Sequence, residues 1–132
     1  MADPAAPLAE RVFVLMLENR SFDHLLGFSG ITGTDAETGQ PTAVSGLSGS
    51  ESNLYNGLRY TVTRPAGWTM PADPGHEFTD VLVQLCGPGA VYTPGGPYPP
   101  VNNSGYVDAY AASGGGSSPG EIMKCFGAVV IR

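Results

Sequence analysis

Arg11 to Phe28, RVFVLMLENRSFDHLLGF, is the stretch on which the reading of the fold depends. Val12 to Leu17 is six apolar residues without alternation. That is the pattern of a strand buried on both faces, as in a parallel sheet covered by helices. Glu18 and Asn19 then fall at the strand's carboxyl end, where open α/β sheets place their ligands. Ser21 is suited to cap a short helix, with Phe22, Leu25, Leu26 and Phe28 packing back and Gly27 ending it. A carboxylate, an amide oxygen and free helix N–H groups thereby converge on one small volume, which suits a cation and a phosphate. Read without further context, Asp23 and His24 also fit a solvated helix face.

Glu18-Asn19-Arg20-Ser21-Phe22-Asp23-His24, directly after an apolar strand, resembles the opening motif of the phosphoesterase family of bacterial and fungal phospholipases C and acid phosphatases. The resemblance implies the N-terminal part of an alkaline-phosphatase-like α/β sandwich, a mostly parallel sheet flanked by helices, here loop-rich and incomplete. It implies hydrolysis of phosphate ester bonds, in a phospholipid or a small phosphomonoester. It also implies a divalent cation held by Glu18 and Asn19, whose oxygen ligands suit Mg, Mn and Ca alike. Asp73-Pro74-Gly75-His76-Glu77-Phe78 is similar to the family's acidic residue and histidine ahead of a helix. There His76 is expected to contact the substrate phosphate or to protonate the leaving group. The segment Val101 to Tyr110 resembles the family's Asn/Gly stretch before an aromatic-led helix, which makes Asn103 a candidate substrate contact. The blander readings are that His76 packs the helix start and that Asn103 or Ser104 caps its helix.

The resemblance covers residues 11–126, preceded by a flexible leader (1–10) and followed by a divergent tail (127–132). In the family a Ser or Thr nucleophile comes shortly after this region, and further metal ligands come later still. None is located here, and Ser21, a possible stand-in, is better explained as a cap. The expectation is a partial domain with poor metal affinity, little activity alone and a sheet edge open to self-association. The alternative is a catalytically inactive remnant that acts as a binding module.

Composition agrees. In 132 residues there are 19 Gly and 12 Pro, so loops should be long and the core small. A net charge of −6 excludes an electrostatic case for nucleic acid. Mean hydropathy is near zero and no apolar run reaches membrane-spanning length. The leader carries acid rather than base and does not read as a signal peptide, so the default placement is cytoplasmic, although family members are often secreted. Two cysteines, Cys86 and Cys125, are too few for a disulfide scaffold and read as buried small hydrophobes, with a single bridge left open.

Along the rest of the chain, Ser29 to Ser52 reads as a surface loop. Asn53 to Thr63 (NLYNGLRYTVT) reads as a hairpin turning at Asn56-Gly57. Asp73 to Gly87 reads as a helix with Asp73 at its N-cap, Pro74 at its first position and an apolar stripe of Phe78, Val81, Leu82 and Leu85. Gly87 to Pro100 reads as a Pro/Gly loop, a lid or partly disordered. A second helix led by Tyr106 follows, and Ala112 to Ser118 reads as a Gly/Ser linker.

Overall fold

The computed structural model describes residues 20–127. The expected strand Val12–Leu17 and the expected cation ligands Glu18 and Asn19 lie outside the described residues. Those described form a mixed α/β arrangement of three helices and two antiparallel hairpins: α1 (Phe22–Leu26), β1 (Thr32–Thr34), β2 (Pro41–Ala43), β3 (Ser52–Tyr55), β4 (Leu58–Thr61), α2 (Phe78–Cys86) and α3 (Tyr106–Ala112). Two 3₁₀ turns, Gly115–Ser117 and Pro119–Met123, complete it. The expected mostly parallel sheet is not among these elements. Among the described residues, parallel pairing occurs only along the segment 123–127, with Thr63 beside Lys124 and Phe28 beside Gly127. Main-chain bonds fix both flanks: the Cys125 N–H donates to the Thr63 carbonyl at 2.9 Å and the Phe126 N–H to the His24 carbonyl at 2.8 Å.

Ser21 caps α1 as its sequence indicates, its Oγ accepting from the His24 N–H at 3.2 Å. Phe22 departs from expectation by lying exposed, because a helix of five residues has only a narrow inward face. The β3–β4 hairpin forms in the anticipated register, Ser52 opposite Thr61 and Tyr55 opposite Leu58. Asn56 and Gly57 both take positive φ, as a tight two-residue turn requires. The β1–β2 hairpin is a correction to the loop expected over 29–52. Every residue of its two strands is exposed, so no apolar alternation marks it. Its turn is built instead on the Asp35 carboxylate, which accepts from the Thr38 N–H at 2.7 Å and the Glu37 N–H at 3.1 Å.

α2 begins four residues later than the Asp73–Pro74 signal suggests. Glu77 is its N-cap and Asp80, three residues on, reaches back to accept from the Glu77 N–H at 3.0 Å. That capping box satisfies the helix start locally and leaves residues 73–76 non-helical. His76 therefore precedes the helix rather than sitting in its first turn. The expected apolar stripe splits: Leu82 is buried, whereas Phe78 and Val81 face outward. Phe78 meets Tyr92 edge to face and Tyr92 stacks on Tyr98, ordering a loop whose composition alone suggests disorder.

The core is small, as the Gly and Pro content implies. It centres on α3, whose Val107, Ala109 and Tyr110 pack with Leu82, Met123, Cys125 and Phe126. Gly115 is buried beneath the Tyr110 ring, so this part of the supposed linker belongs to the core. Asn103 and Ser104 do not cap α3. Buried Asn53 does so from β3, its Oδ1 accepting from the Val107 N–H at 3.2 Å and its Nδ2 donating to the Asn103 carbonyl at 2.9 Å. Both cysteines are free, Cys125 buried and Cys86 partly so. Burial and the charges of Asp23 and Glu51 push the Cys125 thiol up to about 11, which keeps it protonated and unreactive. Among the described residues no helix is long and apolar enough to cross a membrane.

Candidate phosphate-binding cleft

A cleft of about 230 Å³ opens between α1, the segment ahead of α2, and α3. Its polar lining residues are Arg20, Ser21, His24, His76, Gln84 and Tyr106, and its apolar ones Met70, Pro74 and Ile122. Arg20 and Ser21 arrive from the start of α1. His76 arrives from the extended segment that the late start of α2 leaves free. Two histidines distant in sequence thus share one concave surface with a guanidinium.

Arg20 is held in three ways. Its Nη2 donates to the Trp68 carbonyl at 2.8 Å, its Nη1 lies 3.1 Å from His24 Nε2, and its guanidinium stands over the Phe126 ring. A guanidinium only donates, so the imidazole nitrogen facing it must be unprotonated. His24 is 6% exposed and stacks on Phe126 at 5.1 Å. This excludes, for His24, the blander alternative of a solvated helix face. Burial, then the Arg20 charge, hold its pKa below the ordinary 6.5. Tyr106 keeps its phenolic proton, its pKa raised by burial and by the Asp23 charge.

The neutral state of His24 has a thermodynamic consequence. Its folded pKa lies below its unfolded one, so acidification protonates the unfolded chain first. Stability contributed by neutral His24 is complete above about pH 6.5 and is lost as pH falls from there through the folded pKa. Urea midpoints measured between pH 8 and pH 5 should fall on this limb. In His24→Gln the part of the slope due to this group should vanish.

The segment from Trp68 to Glu77 is tied down at several points. Besides the Arg20 bond, the Ala72 N–H donates to the Tyr110 hydroxyl at 3.3 Å and Gln84 Nε2 to the Gly75 carbonyl at 2.7 Å. His76 itself is exposed toward the cleft. Asn103, the other candidate contact, does not line the cleft; its carbonyl is taken by Asn53 and its side chain is exposed. Arg20 and Gln84 are the cleft residues that sequence reasoning passed over. The available signal for Arg20 was its place inside the motif of a chain with only six Lys and Arg. Gln84 carries no comparable local signal.

Among the described residues no group of three or more His, Cys, Asp or Glu side chains comes together to hold a metal ion. The described side of the cleft offers one fixed cation, two imidazoles and the Ser21 and Tyr106 hydroxyls, while the Gln84 amide is given to the Gly75 carbonyl. That donor set suits an anion and does not by itself suit a hard divalent cation, which takes six or more oxygens. The Ser21 hydroxyl is engaged by its own helix, and no described group is placed to activate it.

The phosphoesterase family model matches residues 9–128. The chain belongs to the phosphoesterase family. Over 80 residues it is 41% identical to the non-specific phospholipase C6 of Arabidopsis thaliana, a match that covers 59% of this chain and 14% of that protein. No solved structure matches. The matched region of the phosphoesterase chain takes in the motif from Glu18 to His24, His76 and all the residues that line the cleft.

Proposed function

We propose that this phosphoesterase chain provides the phosphate-recognising part of a metal-assisted phosphate-ester hydrolase of the phospholipase C or acid phosphatase type. The observation that carries the proposal is the meeting of Arg20 and His76 on one cleft. Arg20 supplies a permanent positive charge in a chain of net charge −6, where an anionic substrate otherwise meets repulsion. His76, at the open side, contacts the phosphate or delivers a proton to the leaving oxygen. Glu18 and Asn19, next in sequence to Arg20, would hold a divalent cation (Mg, Mn or Ca). Such an ion would neutralise charge on the phosphoryl oxygens. The sheet that would carry these two residues is, in this reading, the mostly parallel sheet of an alkaline-phosphatase-like sandwich, and its open edge is a route to self-association. The substrate is a phospholipid or a small phosphomonoester, and the nucleophile is supplied from outside this chain.

A second reading, a binding module without turnover, is favoured by one observation: the cleft's aliphatic hydroxyl, Ser21 Oγ, accepts from its own helix N–H. The two readings separate in assays with p-nitrophenyl phosphate and phosphatidylcholine, each with added Mg²⁺, Mn²⁺ or Ca²⁺. The 132-residue chain should bind inorganic phosphate, hydrolyse either substrate very slowly, and bind the cations no more tightly than about millimolar. Hydrolysis that needs the cation and disappears in Glu18→Ala would remove the binding-module reading and the external nucleophile together. Absence of phosphate binding would remove both readings.

A further inference from the structure

Among the described residues no hydrogen bond fixes the His76 side chain, yet the groups on either side of it are both held by α2. Gln84 Nε2 donates to the Gly75 carbonyl at 2.7 Å, and Asp80 Oδ2 accepts from the Glu77 N–H at 3.0 Å. Positions 80 and 84 are one helical turn apart and share a face, so a single rigid element grips the tripeptide 75–77 at both ends. The grip is close. A Cβ on Gly75 would lie 2.5 Å from the Asp80 carboxylate, which would then have to shift. Gln84 also lines the cleft, and its own main-chain carbonyl accepts from the Gly105 N–H at 3.2 Å, where α3 crosses α2.

We propose that Gln84 is the positioning residue for His76: by holding the Gly75 carbonyl it fixes the backbone from which the imidazole faces the cleft. The inference rests on the reading of the cleft as a phosphate site. A histidine on an unsupported segment would have to be ordered when the anion binds, whereas a clamped one has lost that freedom already. Gln84 touches no substrate in this role. It acts through the 75–77 backbone, and Asp80 is the second jaw.

The test compares the whole chain with Gln84→Met, which keeps the length of the side chain and loses the donor. Gln84→Asn, which keeps the amide and loses the reach, serves if the first does not fold. Backbone ¹⁵N relaxation reports the order of the His76 and Glu77 amides, and the two imidazoles of the chain are followed during titration with inorganic phosphate. In the wild type both amides should have order parameters near 0.85, and the His76 ring resonances should move with phosphate. In either variant the order parameters should drop toward about 0.6. The phosphate dissociation constant should rise about tenfold, while the melting transition stays cooperative. Unchanged order at 75–77 overturns the inference, whatever phosphate does. Order lost in the variants, with no phosphate response in the wild type, leaves the clamp standing and removes the phosphate reading instead.

Discussion

Asn53→Ala should cost about 3 kcal/mol of stability, although Asn53 does not line the cleft and reads in the sequence as an ordinary hairpin residue. The side chain is buried and makes two bonds that nothing else replaces, to the Val107 N–H and the Asn103 carbonyl. The N-cap of α3 is Gly105, which has no side chain to offer as a cap. Truncation therefore leaves a free donor at the first turn of α3 and a free acceptor in the chain leading into it. Each unmet buried group costs about 1–3 kcal/mol. In a domain with so small a core, that loss is a large part of the total. Thermal or urea unfolding checks it. Asn53→Asp, which can still accept from Val107 but would set a buried carboxylate oxygen against the Asn103 carbonyl oxygen, should recover none of the loss at neutral pH. A change within about 0.5 kcal/mol in Asn53→Ala would mean that α3 is not capped from β3.

Arg20→Gln should weaken binding of inorganic phosphate by on the order of ten- to a hundredfold, the worth of a charge-assisted hydrogen bond of about 1.5–3 kcal/mol. Two effects act together. The variant removes the cleft's permanent cation, and it releases the Trp68 carbonyl, loosening the segment that leads to His76. Arg20→Lys separates them, since an ammonium restores the charge without the planar fork that bonds Trp68 while facing His24. Its affinity should fall between wild type and Arg20→Gln. Calorimetric titration reads both. Equal affinity in all three proteins would mean that Arg20 takes no part in anion recognition.

How much of this was legible in the sequence depends on how local each cause is. The Ser21 cap and the Asn56-Gly57 turn are set within four residues, and both were readable. The start of α2 was misplaced because two valid signals compete within five residues. Asp73-Pro74 and the Glu77/Asp80 pair each open helices, and the second wins by satisfying the first turn reciprocally. The β1–β2 hairpin buries neither face, so the periodicity that betrays a strand never arises. Asn53 and Val107 are 54 residues apart, and no window of sequence links them. At the cleft, the Asp73-to-Phe78 segment singled out His76, which lines it, but neither that segment nor the Glu18–His24 motif gave an account of why Arg20 and a neutral His24 face each other. That pairing follows from burial against Phe126, which only the fold supplies.

The account turns on the claim that Arg20 and His76 bind one phosphate between them. The most direct measurement is a crystal structure of the chain grown with inorganic phosphate at a saturating concentration. It should show a tetrahedral anion in the cleft, within hydrogen-bond reach of both the Arg20 guanidinium and the His76 imidazole. A phosphate bound elsewhere while this cleft holds only solvent, or a cleft in which the two side chains point apart, would contradict it.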